Sequence, residues 1–245
     1  MAVIYTLSVR SKEPMLPALV FLGRNYGDIP IDSVDSVFGF VEKSTLYGGR
    51  EFVQPELVDR DVKQLNAVGI GIRLPLSNHH VSREEFAQNR ELLEKYHRRG
   101  NAVIVTNDDL AGWIREEFPE YRIEASVIKN INTQQKLEEA LRQYDTVVLP
   151  MSLNRDHELL ERLPDKNRIT LFGNGGCALT CPSKTCYPSI SKLNKFTGEG
   201  KFQCSQPLKE RKLEGMLDFD LEQLQALGYS RFKMLRSRPG GKTGF

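Results

Sequence analysis

The chain has 245 residues, of which 40% are hydrophobic and 27% are charged, and its formal net charge is only +2. This composition is typical of a globular protein with a sizeable core, and the small net charge argues against binding DNA or membranes through a polybasic surface. No apolar run approaches the roughly 20 residues of a membrane span. The first ten residues lack the basic segment that precedes a leader's apolar run, so we expect a strand there and a cytoplasmic protein.

Strand-like and helix-like segments alternate from about residue 57 onward. Short apolar runs that predict strands lie at 69–77, 101–107, 121–130, 145–152, 168–174 and 231–237. Amphipathic runs that predict helices lie at 82–100, 109–119, 133–144, 156–164 and 221–229. Alternation of this kind builds parallel strands with helices packed outside them.

The first 56 residues offer two more candidate strands, at 3–9 and 18–24, and the stretch 25–52 predicts turns and a hairpin. Eight strands in a chain of this length predict a closed (β/α)8 TIM-like barrel, irregular at its start, with an open doubly wound sheet as the alternative. We expect a single barrel domain over 1–238 that carries a Cys-rich insert at 175–207. The Gly-rich end, 239–245, predicts a flexible tail.

All four cysteines of the chain fall in one short stretch with the spacing Cys177-x3-Cys181-x4-Cys186-x17-Cys204. Such local clustering in a long chain favours a metal site over disulfides. The stretch follows a predicted strand that ends at Asn174, and the carboxyl ends of strands are where barrels build their active sites.

The spacing favours an iron–sulfur cluster, because cluster ligands often gather in an irregular loop with one distant member. Zinc is the alternative, although a structural zinc site usually has two Cys-x2–4-Cys pairs and only the first pair fits here. The radical-SAM spacing Cys-x3-Cys-x2-Cys is not matched. A further interpretation is that the thiols only fill apolar space in a barrel enzyme of another type.

The sequence around the cysteines resembles that of the collagenase-like U32 peptidase family and its relatives. The resemblance rests on the segments FGNGGC at 172–177 and FQCSQP at 202–207. It also rests on the predicted last strand, in which Lys233 and Met234 match the family signature. Arg236 stands where that signature has Gly, and Ser237 stands where it has Arg. The resemblance covers roughly residues 60–238.

The resemblance implies a TIM-like barrel with a [4Fe–4S] cluster on Cys177, Cys181, Cys186 and Cys204, of which Cys177 and Cys204 match by position. It further implies an oxygen-independent hydroxylation or related modification of a quinone precursor or an RNA base. Expected partners are therefore a small-molecule or RNA substrate and a redox partner or related subunit. Peptidase chemistry is not favoured, since neither H-E-x-x-H nor G-x-S-x-G is present. The alternative is a non-catalytic, zinc-stabilised binding or assembly protein.

Polar residues at and within the predicted strands are candidates for contacts with the substrate. Asn174 adjoins the cysteine turn, while Arg73 and Lys233 interrupt apolar strands, where a charge is costly unless it is paired or used. We expect these three to serve catalysis, with an ion pair from Arg73 to Glu124 as the structural alternative. Lysines and aromatics also alternate in the insert, which is typical either of RNA binding or of a loop packed over the cluster: Lys184, Tyr187, Lys192, Lys195, Phe196, Lys201 and Phe202.

Overall fold

The computed structural model of the chain describes residues 2–176, 179, 181, 185–205 and 217–236. Its strands are β1 (Ile4–Ser8), β2 (Val34–Phe38), β3 (Gly71–Leu74), β4 (Ala102–Val105), β5 (Arg122–Ala125), β6 (Thr146–Val148), β7 (Ile169–Phe172), β8 (Asn174–Gly175), β9 (Leu217–Asp218) and β10 (Arg231–Met234). All except β8 and β9 form a closed barrel in the order β1-β10-β7-β6-β5-β4-β3-β2, and every pairing in it is parallel. The predicted (β/α)8 barrel is confirmed.

The first and last strands close the barrel against each other. Ile4 of β1 lies opposite Arg231 of β10, and Leu7 lies opposite Met234. On its other side β1 pairs with β2, with a register irregularity between Tyr5 and Thr6. The short strands β8 and β9 form a separate antiparallel pair. Because β10 comes from the end of the described chain, barrel closure joins segments that are more than 200 residues apart.

Helices follow most strands and cover the outside of the barrel. Among the described residues, the helices of at least six residues are Ala18–Asn25, Asp59–Ala67, Arg83–Gln88, Arg90–Tyr96, Asp108–Glu117, Gln134–Gln143, His157–Arg162, Cys186–Leu193 and Leu221–Ala226. Side chains of Ser82, Asn107 and Thr133 accept hydrogen bonds from backbone N–H groups in the first turns of three of them, as N-caps do. None of the helices in the described part of the chain is long and apolar enough to cross a membrane.

Two expectations for the first 56 residues were wrong. The run 18–24, predicted as a strand, is a helix that begins after Pro17 and buries Ala18, Phe21 and Leu22 on one face. Periodicity in so short an apolar run does not separate the two structures. The missing strand is β2 at Val34–Phe38, inside the stretch predicted as turns and a hairpin. The strand sequence VDSVF does not alternate regularly between polar and apolar residues, so the sequence pattern did not predict a strand there.

The helix predicted over 82–100 is interrupted at Asn89. The Asn89 side chain accepts a hydrogen bond from the Ser44 hydroxyl, and its amide nitrogen donates to Thr45 Oγ1 and to the Glu85 carbonyl. The two helices therefore meet at a residue that is bound to the loop after β2. The apolar face predicted from Phe86, Leu92, Leu93 and Tyr96 is buried as expected.

The main core lies between the barrel and its helices. Alternate strand residues point outward into it, and they are fully or almost fully buried: Leu7, Val37, Ile72, Val103, Val105, Ile123, Val147, Ile169, Leu171 and Phe232. The other face of the strands lines the barrel interior. That interior contains charged side chains as well as apolar ones, which distinguishes it from a purely packed core.

Candidate functional site at the carboxyl-terminal mouth

The cysteine segment crosses the mouth of the barrel. It leaves the barrel after β7, and the ring order places β3 directly opposite β7. Its helix Cys186–Leu193 contacts the loop after β3, because Asn78 Nδ2 donates 2.9 Å to the Ser191 carbonyl. The insert thus spans the carboxyl-terminal end of the barrel, the face on which barrel enzymes carry their active sites.

Two buried asparagines hold this segment to the far side of the mouth. Asn78 Nδ2 also donates to the carbonyls of Thr45 and Tyr47. Asn194 Nδ2 donates to the carbonyls of Tyr47 and Arg50, and its oxygen accepts from the Phe52 N–H. Both side chains are completely buried. The loop 44–52 and the insert are therefore one hydrogen-bonded unit, and no motif in the sequence indicates this link.

Further contacts along the insert are structural. His79, one of two histidines that follow β3, has its backbone N–H and its Nδ1 within 3.1 and 3.2 Å of Ser191 Oγ. Phe196 packs edge-on against Phe52, and Lys43 lies over the Phe196 ring. Of the lysine–aromatic pattern, Phe196 is thus engaged with the barrel rather than presented for stacking on a base.

Hydrogen bonds link the chain around Cys186 to the chain around Cys204. The Thr185 N–H donates 2.8 Å to Ser205 Oγ on one side of the pair. On the other side, Ser189 Oγ donates to the Cys186 carbonyl and accepts from the Gln203 N–H. Cys181, Cys186 and Cys204 are each partly buried. The backbone thus approaches itself at two of the four predicted ligands.

The remaining predicted ligand, Cys177, lies outside the described residues, as do the neighbours Ala178, Thr180 and 182–184. Within the described residues, no group of three or more His, Cys, Asp or Glu side chains is arranged to hold a metal ion. The set of four cysteines therefore stays a prediction. Its chemistry is that of soft thiolate donors, which suit iron–sulfur clusters and zinc.

An apolar layer closes the barrel below part of the insert. Val148, Met151 and Phe172 are buried against one another, and Leu179 of the insert packs on them. Leu179 is two residues from both Cys177 and Cys181. Leu179 therefore lies over the ends of β6 and β7.

A charged network occupies the interior one layer deeper. Glu124 of β5 is fully buried, and its Oε2 accepts a 2.7 Å hydrogen bond from Arg73 of β3. Thr146 and Thr170, each two residues before the apolar layer on β6 and β7, donate to the same oxygen at 3.2 and 3.3 Å. Lys233 of β10 lies 3.4 Å from Glu124 Oε1. Side chains from four strands thus converge on one carboxylate of a fifth strand.

Charge pairing sets the ionisation of this network. Burial raises the pKa of Glu124, but the charges of Arg73 and Lys233 outweigh it, so the pKa is lowered. For Asp35 the effect of burial is likewise outweighed, by Arg73 and Arg122, and its pKa falls well below the ordinary range. Burial, followed by repulsion from Arg73, lowers the pKa of Lys233 despite the attraction of Glu124.

The three predicted catalytic residues lie in this framework. Arg73 donates to Ser36, Asp35 and Glu124 and is 1% exposed, so the ion pair with Glu124 expected as the alternative is present. Lys233 is 5% exposed, and its ammonium lies over the Phe38 ring. Asn174 exchanges two hydrogen bonds with the Leu235 backbone. A direct role for these three in catalysis stays a prediction.

These features define a (β/α)8 barrel with a cysteine-bearing segment across its carboxyl-terminal mouth. The barrel resembles the fold of U32 peptidases, as the sequence around the cysteines predicted. A solved structure of the U32 peptidase Mk0906 is similar with a TM-score of 0.61 and 12% identity, over 98% of this chain and 94% of that one. At this identity the likeness shows the fold.

A xylose isomerase-like TIM barrel/4-hydroxyphenylpyruvate dioxygenase fusion protein is also similar, with a TM-score of 0.48 and 16% identity over 100% of this chain and 40% of that one. This score is too low to support an inference about function. The sequence matches no family model, and no curated protein matches it.

Proposed function

We propose that this chain is a barrel enzyme that binds an iron–sulfur cluster, of the [4Fe–4S] type, through Cys177, Cys181, Cys186 and Cys204. The observation that supports the proposal is the position of the described part of the insert at the mouth, where hydrogen bonds link the residues next to Cys186 with those next to Cys204. Such a cluster supplies electron transfer, with a potential set by burial and by hydrogen bonds to sulfur.

The chain's own residues support this role by fixing the insert. Asn78 and Asn194 bind it to the loop 44–52, and Leu179 packs it against the apolar layer. Anchoring on both sides of the mouth supports a cluster site with a fixed position over the barrel. The proposed substrate site is the remaining mouth surface beside the insert.

Anaerobic purification followed by iron and sulfide analysis and a visible absorption spectrum tests the cluster. We expect a brown protein with about four iron and four sulfide per chain, and loss of both in Cys177→Ser, Cys181→Ser, Cys186→Ser and Cys204→Ser variants. Lys192→Ala is the matched control, because Lys192 is an exposed, non-ligating residue of the same insert helix. A colourless protein with one equivalent of zinc overturns the proposal in favour of a structural knot.

We propose further that the reaction is a redox modification, such as hydroxylation, of a quinone precursor or an RNA base. This proposal rests on the resemblance of the sequence around the cysteines to that of the hydroxylating relatives of the U32 family. The test compares a deletion strain complemented with the wild-type chain or with Cys204→Ser, using mass spectrometry of RNA nucleosides and of quinones. Loss of one modified species in the variant strain supports the proposal. Identical profiles in both strains contradict it.

A further inference from the structure

Two pieces of the insert are bound to each other beside Cys186 and Cys204. The Thr185 N–H donates 2.8 Å to Ser205 Oγ, and Thr185 Oγ1 lies 3.0 Å from the same oxygen. The residue that precedes Cys186 is therefore bound to the residue that follows Cys204. Thr185 is exposed and Ser205 is half-buried, so water competes for this contact.

Ser189 makes a second contact between the two pieces, and it is buried. Its hydroxyl donates 2.8 Å to the Cys186 carbonyl in the first turn of the helix Cys186–Leu193. The same oxygen accepts the Gln203 N–H at 3.1 Å. One side chain is thus bonded both to the backbone of Cys186 and to the residue before Cys204. Along each piece, the cysteine lies between the two contacts.

A comparison within the same helix shows that this double contact is particular to Ser189. A serine in a helix commonly donates its hydroxyl to a carbonyl three or four residues earlier, which by itself is a local contact. Ser189 adds an acceptor role toward the piece that carries Cys204. Ser191, which is also buried, accepts instead from the His79 N–H in the loop after β3. The two serines therefore bind the helix to different parts of the molecule.

We propose that Ser189 is a positioning residue, which holds Cys186 and Cys204 as a paired half of the ligand set before the metal binds. Its role toward a metal rests on the proposed cluster, whereas the pairing of the two thiols is a property of the chain itself. Groups that orient metal ligands through hydrogen bonds commonly change metal affinity tenfold or more when they are removed. The pairing is therefore measurable both without the cluster and with it.

The test without the cluster uses a Cys177→Ser plus Cys181→Ser variant, in which Cys186 and Cys204 are the only cysteines of the chain. The probe is phenylarsine oxide, which condenses with two neighbouring thiols to form two As–S bonds and releases one water. We expect one arsenical per chain, retained against an excess of 2-mercaptoethanol. Adding Ser189→Ala should weaken retention about tenfold. Adding Ser191→Ala should leave it as in the parent variant.

A Ser205→Ala change in the same background keeps the test decisive if Ser189→Ala fails to fold, because the Ser205 contact is accessible to water. It should weaken retention about threefold, as expected for loss of one such hydrogen bond. Retention in both variants equal to that of the parent overturns the proposal. Equal weakening by Ser189→Ala and Ser191→Ala also overturns it, since that would show general loosening of the helix.

The test with the cluster uses the chain with all its cysteines, purified anaerobically. Ser189→Ala should release iron to a chelator about tenfold faster than the wild type, and Ser191→Ala should release it at the wild-type rate. A wild type without iron would count against the proposed function, and the arsenical comparison would then decide the pairing alone. Equal iron release by Ser189→Ala and the wild type counts against the positioning role even if the cluster is present.

Discussion

Glu124 is the residue on which the charge balance of the barrel interior depends. Its carboxylate accepts hydrogen bonds from four buried side chains and is not exposed to solvent. The donors are Arg73, Lys233, Thr146 and Thr170. Removing one partner from a buried ionic group leaves the others uncompensated, which costs more than the pair itself contributes. The strength of this network is therefore measured best by neutralising its carboxylate.

A Glu124→Gln variant is expected to lose about 3 kcal/mol or more of unfolding free energy, because Arg73 and Lys233 would keep their charges in a buried site. Urea denaturation measures the change. Glu138→Gln is the control, since Glu138 is exposed and its carboxylate accepts a hydrogen bond from the exposed Gln134. That variant should stay within about 0.5 kcal/mol of the wild type. Equal stability of the two variants would contradict the role given to Glu124.

The lowered pKa values of Glu124 and Asp35 predict acid sensitivity. A carboxyl group with a depressed pKa in the folded state stabilises the fold above its unfolded pKa of about 4, and this is lost as the pH falls through the folded value. The urea midpoint should therefore fall steadily from about pH 5 downward. Glu124→Gln should show a shallower fall, and an unchanged slope would remove Glu124 as a cause.

At the scale of elements, the insert and the loop 44–52 behave as one unit. An Asn194→Ala variant is expected to lose about 2–4 kcal/mol, because it leaves the Phe52 N–H and two carbonyls without their partners. Hydrogen exchange should quicken in both segments together. Asn132→Ala, which removes only an exposed contact to Lys136, is the control. Faster exchange in one segment alone would argue against a single unit.

The elements show which signals the sequence carries and which it lacks. Helices with a capping residue and a 3.6-residue apolar period, such as Gln134–Gln143 after Thr133, are predictable from local chemistry. The helix Ala18–Asn25 and the strand β2 are not predictable in this way, because both are short and lack a clear local pattern. The structure of β2 depends on its pairing with β1 on one side and β3 on the other. Tertiary context decided these two.

At the scale of the whole molecule, the barrel does not depend on the cysteines for its core. Its closure rests on strand pairing and on apolar packing outside the barrel. A variant with all four cysteines changed to Ser should therefore keep its far-UV circular dichroism and one cooperative thermal transition, although it loses the metal. A chain that is unfolded in this variant would instead make the metal site a folding requirement.

The candidate site was predictable only in part. The Cys spacing, the strand before it and the charges of Arg73 and Lys233 are visible in the sequence, and the Arg73–Glu124 pair follows from the cost of burying a charge. A cavity at the amino-terminal ends of the strands, lined by Arg99, Arg122 and Asp145 among others, was not predicted. These residues lie on separate segments, which only the folded barrel brings together.

The anchoring of the insert also has a kinetic consequence. Asn78 reaches Ser191 across 113 positions, and Asn194 reaches Tyr47 across 147. Closing loops of this length has an entropic cost that is recovered only when both ends already stand close. We therefore expect the insert to dock late in folding, after the ring of strands has formed. Any metal would then be loaded into a nearly mature barrel, so that its incorporation follows folding instead of nucleating it.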